Sequence, residues 1–556
     1  MGRWLLLGVV GFFLSGAAGA VSPPVTKLSD PEKIEVQRRI ERFYGSENGF
    51  SSLDVPPPKY DARTGQPVDV NEALRRAKPA ADPLITASGK KASPSYHKAR
   101  CRHLKDHRFP HIDCEKTHWE KVQPNDNVED LVKTWVPEGA AQLHLDDVTT
   151  SGEIRRAVWS GDYWRTKWGL TSYRYAKGKT FGTYREAVDS YQQPLEWQKA
   201  RDTLTAEELE KEITSWSPAE KYDLLVGDEV MTLTDHQKAE GSYSLGEDGD
   251  VEGWFGICHG WAPAAYMVPP PVKSFTTSAV KGKRVAWTAH DVRALATLAW
   301  ANGRYVANFI GGRCDQKDPK RYDNGRLAQP ECFDNNPATF HLSLANLIGK
   351  EGVPMVMDAT FDYQVWNQPV VAYELSYFNP LRPEKTGTDW KRLAVKYDDK
   401  FKKKDRFQTP LTRGKRGDDG KYDDSQVAQV VGVAATVVYL AEIAASAAPD
   451  VAPNRLVRVT YTYDLELREE EGKTIIAGGE WHENTHPDFL WTPQRDSVAL
   501  FYHDREKVGV DLEKEPSAGL AETAAAASAY SYPLCRVLEK LIEKASGVST
   551  YKCPLL

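Results

Sequence analysis

The chain has 556 residues, 41% of them hydrophobic and 27% charged, with a formal net charge of −6. That is enough chain for a sizeable core and for two or three domains of about 100–200 residues each. The acidic balance argues against a global nucleic-acid footprint and leaves only local patches open.

The chain opens with Arg3, an apolar run over residues 4–14, and Ala18-Gly-Ala20 as a small-residue cleavage site, the pattern of a signal peptide over 1–20. A membrane anchor needs about 20 consecutive apolar residues, and this run breaks earlier, into Ser15-Gly16-Ala17. The expected mature chain is exported into an oxidising space, with no transmembrane segment.

Residues 21–153 read as a partly unstructured extension, rich in Pro, Lys and Asp, with breaks at Val55-Pro-Pro-Pro58 and Lys90-Lys-Ala-Ser-Pro94. His97, His103, His107, His111 and His118 surround Cys101 and Cys114 without zinc spacing, so a solvated basic loop closed by a disulfide is expected there. Trp- and Tyr-rich sequence over 154–197 opens the body of the protein. Capping boxes at Thr205-Ala-Glu-Glu208 and Ser217-Pro-Ala-Glu220 then start two helices, the second stopped by Gly227.

Further helix signals lie at 258–266 and 290–301. Alternation over 340–348, followed by 354–358, reads as two strands. Residues 391–424, rich in Lys, read as a surface loop, and 427–448 as a strand plus an Ala-rich loop carrying Glu442. Alternation over 456–467 and again over 474–481 predicts a hairpin. Ala-rich 518–529 reads as a linker and 535–545 as a docked amphipathic helix. A catalytic body over 154–500 and a tail over 501–556 complete the expected organisation.

Six of the seven cysteines fall into near neighbours, Cys101 with Cys114, Cys314 with Cys332 and Cys535 with Cys553. Cys258 is left over, and an odd cysteine in an exported chain is an intermolecular link or a reactive thiol. At a helix start the sulfur faces the positive end of the macrodipole, which favours the thiolate. A nucleophilic thiol also needs a base. His259 is adjacent and so faces away from the cysteine on a helix, and His290 reads as the cap of the following helix. His341 lies 17 residues before Asp358, an arrangement that puts imidazole and carboxylate on neighbouring strands as a Cys-His-Asp triad requires. A structural histidine with a buried aspartate fits those residues equally well. Asp362 competes for the third position.

Four motifs in order resemble the oomycete transglutaminase elicitor family. They are Trp254-Phe-Gly-Ile-Cys-His-Gly-Trp-Ala-Pro-Ala-Ala265, Asn336-Pro-Ala-Thr-Phe-His-Leu342, Val365-Trp-Asn-Gln-Pro-Val370, and Gly478-Gly-Glu-Trp481 with His486-Pro-Asp-Phe-Leu-Trp491. The resemblance implies a calcium-dependent protein-glutamine gamma-glutamyltransferase with the catalytic cysteine on Cys258 and its partners on His341 and Asp358. Backbone amides at the helix start, with the Trp254 indole as a second donor, would hold an oxyanion. Trp254, Trp261 and Trp366 would wall a lysine channel. Calcium ligands are expected at Asp248, Asp250 and Glu252, although such a carboxylate run also reads as a solvated turn and is not an EF-hand. Val365 to Val370 resembles the core of a peptide by which plants detect these enzymes, and the chain departs from it afterwards with Val-Ala-Tyr-Glu.

The expected fold is α+β, a cysteine-protease or transglutaminase-like core with a helix-borne Cys258 packed on an antiparallel sheet. The expected partners are protein substrates bearing Gln and Lys, with a host surface receptor as a further candidate. A papain-like protease or glutamine deamidase would use the same groups. A non-catalytic recognition protein, read through the Trp366 loop, is the alternative of another class. Residues 21–153 could also act as a propeptide that covers the site until cleaved.

Overall fold

The computed structural model describes residues 26–45, 57–68, 127–190, 203–246, 248–312, 314, 319–329, 332–360, 364–407, 413–416, 422–448 and 451–554. The signal peptide, the five-histidine loop with Cys101 and Cys114, and Asp362 lie outside them. Helices that bear on the site are α1 (Asp30–Gly45), α2 (Cys258–Met267), α3 (Ala289–Asn302), α4 (Pro337–Ser343), α5 (Ala518–Ser528) and α6 (Cys535–Ser546). The main strands are β1 (Tyr60–Asp61), β2 (Ala307–Gly311), β3 (Val356–Asp358), β4 (Asn367–Asn379), β5 (Gln429–Ala441), β6 (Arg455–Glu470), β7 (Lys473–Trp481) and β8 (Phe489–Pro493).

Among the described residues these strands join an eleven-stranded antiparallel sheet along the path β1-β6-β5-β4-β3-β8-β2, with β7 also on β6. The α+β expectation with an antiparallel sheet holds. Strand parity divides the core in two. Val437, Tyr439, Val457, Val459 and Tyr463 face one layer with α4 and the 128–136 segment. Val438, Leu440 and Leu456 face the other, with α2, α3 and α6.

Local signals placed several elements as expected. Both capping boxes form, and Gly227 closes its helix in the left-handed region. The β6–β7 hairpin pairs Tyr463 with Trp481 and Glu470 with Lys473. Disulfides join Cys314 to Cys332 and Cys535 to Cys553.

Three expectations are corrected. Residues 337–343 are helical, and the turn continues as a π-helix over Leu344–Glu351. Asn336 caps the start, Pro337 takes the first turn, and Phe340, Leu344, Leu347 and Ile348 recur at helical spacing, which outweighs the alternation. The Ala-rich linker is α5, capped by Ser517, as high helix propensity allows. The Lys-rich insertion is not wholly solvated, because Arg413 is fully buried between Asp405 (2.7 Å) and Asp464 (2.6 Å).

The described parts of the amino-terminal extension are integral to the sheet. Glu32 of α1 pairs with buried Arg458 at 2.6 Å, the Tyr44 hydroxyl donates to Asp464 at 2.6 Å, and Arg39 pairs with Glu483. Leu131, Val132 and Trp135 fill the layer beneath α4.

Candidate active site

Cys258 is the first residue of α2. Two close approaches pin the segment that carries it. A Cβ at Gly256 would lie 2.4 Å from the Tyr163 carbonyl oxygen, and one at Gly260 would lie 2.3 Å from that of Thr297 on α3. Only glycine fits at either position, and the Ile257 N–H donates to the Tyr163 carbonyl at 2.7 Å between them.

The antiparallel register brings the end of β3, the start of β4 and the end of β5 to one end of the sheet, and the thiol faces it. Its S–H donates to the Val365 carbonyl at 3.7 Å, and the Asn367 side-chain amide donates to the sulfur at 3.6 Å. The Asn367 oxygen accepts from the Trp491 indole at 2.8 Å. Tyr163, Trp254 and Trp366 pack around the sulfur, with Tyr163 and Trp366 edge to face at 5.2 Å.

Asp358 is the register partner of Asn367 and is fully buried. Its Oδ1 accepts from the Trp366 N–H at 2.8 Å and from the Thr360 hydroxyl at 2.8 Å, which ties down the loop before β4. Glu442, just past β5, accepts from the Gln368 amide at 2.8 Å. Burial pushes the Glu442 carboxyl up to about 7. Lys59 comes from the segment leading into β1; burial lowers its ammonium to about 8, against the opposing charges of Glu442 and Asp358.

Burial pushes the Cys258 thiol up to about 11; the donors of Asn367 pull against that, and the charges of Glu442 and Asp358 add to it. At this helix start desolvation of the anion opposes the expected thiolate and outweighs the help available at a helix terminus.

The structure brings Cys258 and Asp358 to one site and leaves His341 elsewhere. His341 lies on α4, a helix instead of the expected strand, in the layer behind the sheet. Its Nδ1 bonds to the Tyr463 hydroxyl at 2.9 Å, and its Nε2 makes no hydrogen bond to Cys258 or Asp358. Burial lowers its pKa to about 3. Nor is His290 the helix cap, a place taken by Thr288. α2 and α3 run antiparallel, so Gly260 meets Ala301 while Arg293, one turn from His290, reaches the Pro271 carbonyl past the far end of α2.

Of the three tryptophans, Trp254 and Trp366 border the thiol, whereas Trp261 is fully buried and donates to the Trp159 carbonyl at 3.3 Å. It belongs to the core, because position 261 falls on the helix face turned inward. The Trp254 indole donates to Glu252 rather than pointing at an oxyanion position.

The expected metal carboxylates also diverge. Asp250 pairs with Lys167 at 2.7 Å and accepts from the Tyr184 N–H, Asp248 accepts from the Asp250 N–H, and Glu252 serves Trp254. Among the described residues no three His, Cys, Asp or Glu gather as a metal-ligand set. Trp366, Asn367, Gln368 and Val370 are all buried.

Asn367, Gln368, Glu442, Tyr163, Trp491 and Lys59 had no assigned role in the sequence. A signal existed for some: Asn367 and Gln368 stand inside the Trp366-Asn-Gln motif, and Glu442 is the lone charge interrupting the apolar stretch 427–448.

The family model for transglutaminase elicitors matches residues 138–448, more than half of the chain. Among solved structures, the crystal structure of the GP42 transglutaminase from Phytophthora sojae matches with 20% identity and a TM-score of 0.45, over 73% of this chain and 99% of that one. The comparison with curated proteins gave no match.

Proposed function

Because the chain belongs to the transglutaminase elicitor family, we propose that it is a secreted protein-glutamine gamma-glutamyltransferase in which Cys258 carries the acyl group. The observation that supports this most directly is the setting of Cys258. It is the free cysteine among the described residues, it opens a helix, and its sulfur lies between a carbonyl acceptor and an amide donor behind an aromatic wall. Disulfides elsewhere agree with an oxidising destination. Among the described residues no helix is long and apolar enough to cross a membrane.

Glu442 takes the thiol proton, since a carboxyl held near 7 exchanges protons readily at neutral pH. The sulfur attacks the side-chain carboxamide carbon of a protein glutamine, and backbone amides at the start of α2 face the negative charge that develops on oxygen. Glu442 passes its proton to the departing ammonia, leaving a thioester. A lysine amine then attacks the thioester carbon, gives its proton by way of Glu442 to the leaving sulfur, and forms the isopeptide bond. Asp358 holds the loop that carries Trp366, and Trp254 with Trp366 shields the thioester from water.

The family resemblance implies calcium; among the described residues no three His, Cys, Asp or Glu gather as a ligand set, and no step here passes through a metal. The test is incorporation of a fluorescent primary amine into a glutamine-rich protein, with wild type and Cys258→Ala, each with calcium and with chelator. Cys258-dependent labelling is expected; cleavage or deamidation of the acceptor without labelling would transfer the assignment to a hydrolase. Loss of labelling together with a lower melting temperature in chelator would place the cation in the fold.

A further inference from the structure

The side-chain amide of Asn367 is fixed in one orientation by chemistry. An indole N–H is a donor only, so the Asn367 group 2.8 Å from the Trp491 Nε1 must be its oxygen. The other end of the amide, the NH2, is then compelled to face Cys258, 3.6 Å from the sulfur. Trp491 is almost wholly buried and stacks on Phe309 at 5.2 Å, so the indole cannot turn away. Three strands carry the chain of contacts: Trp491 on β8 pairs with Val356 of β3, and Asp358 of β3 pairs with Asn367 of β4.

We propose that Asn367 is a catalytic residue, donating its Trp491-fixed amide to the sulfur whenever that sulfur carries negative charge, before attack and as it leaves the amine adduct. Trp491 acts through Asn367 as a positioning residue. This assignment rests on Cys258 being the nucleophile. The need for such a donor follows from the surroundings, because the sulfur is buried beside the Asp358 carboxylate, and the hydroxyl of the neighbouring Tyr163 is spent on the Gly253 carbonyl at 2.9 Å.

Asn367→Asp is the sharpest test, since it keeps the acceptor for Trp491 and replaces the donor with an oxygen that carries no proton. The rate of Cys258 alkylation by iodoacetamide is followed from pH 6 to 11 in the full chain, with Cys258→Ala as the blank, beside amine incorporation. In Asn367→Asp the alkylation rate should fall about tenfold at each pH below 10, the smaller thiolate population that a thiol titrating one pH unit higher leaves. Amine incorporation should fall by about 10²–10³-fold, as for other fixed donors at reacting atoms. Trp491→Phe should lower the rate the same way by less, because the freed amide can rotate. An unchanged alkylation profile in a folded Asn367→Asp protein overturns the proposal. Should that variant not fold, an unchanged profile in Trp491→Phe does so. A shifted profile in an enzyme that never incorporates amine sustains the role of Asn367 and removes the transamidation reading instead.

Discussion

At the residue scale the proposed proton-transfer group, Glu442, differs from the expected one, His341. His341 is bonded to Tyr463 behind the sheet, while Glu442 bears on the thiol from the end of β5. Glu442→Gln should therefore lower amine incorporation by about 10²–10⁴-fold. His341→Asn, which can still meet the Tyr463 hydroxyl, should stay within a few-fold of wild type. The reverse result would return the role to His341. The pH profile follows from the same assignment: Glu442 accepts a proton only when ionised, so wild-type activity should rise through about pH 7, where burial holds this carboxyl. The residual activity of Glu442→Gln should be flat across that range.

At the scale of elements, a buried charge network holds α1 and the 391–424 insertion to β6. Arg413, His482 and Tyr44 all converge on Asp464. Burial opposes the Asp464 anion, but the charges of His482 and Arg413 win, and its pKa falls to about 2. A carboxyl whose folded pKa is depressed contributes stability above its unfolded value near 4 and loses it as the pH falls toward the folded value. Thermal unfolding of the wild type should thus weaken between about pH 4 and 2. Asp464→Asn should cost about 3–5 kcal/mol at pH 7, as breaking one side of a buried ion pair does. The gap between the two proteins should narrow over that acid range, and a constant gap would dissociate the network from stability.

For the molecule as a whole, the described segments before residue 153 pack into the core. They supply Glu32 to Arg458, Tyr44 to Asp464, and Leu131 and Trp135 to the layer beneath α4. A chain beginning at Glu153 would leave Arg458 buried without its carboxylate and open an apolar face. It should be recovered as aggregate or as a molten species, judged by near-ultraviolet circular dichroism and urea unfolding. A stable, active product from that start would restore the propeptide reading.

Local chemistry settles within a few residues, and so the sequence alone determined the capping boxes, the β6–β7 hairpin, the helix start at Cys258 and which cysteine is free among the described residues. Its ordered motifs also identified the family. The partners of the thiol depend on contacts distant in sequence, and only the tertiary structure decided them. Antiparallel pairing places Asp358 opposite Asn367, and Trp491 then orients the amide. Cys258 opens a helix in one layer and His341 lies on a helix in the other, although the spacing of His341 and Asp358 suits a triad. The segment 337–348 satisfies both the helical and the strand period, so its conformation was decided by the Asn336 cap and by the layer it fills. Burial, which sequence cannot weigh, raises the pKa of both Cys258 and Glu442.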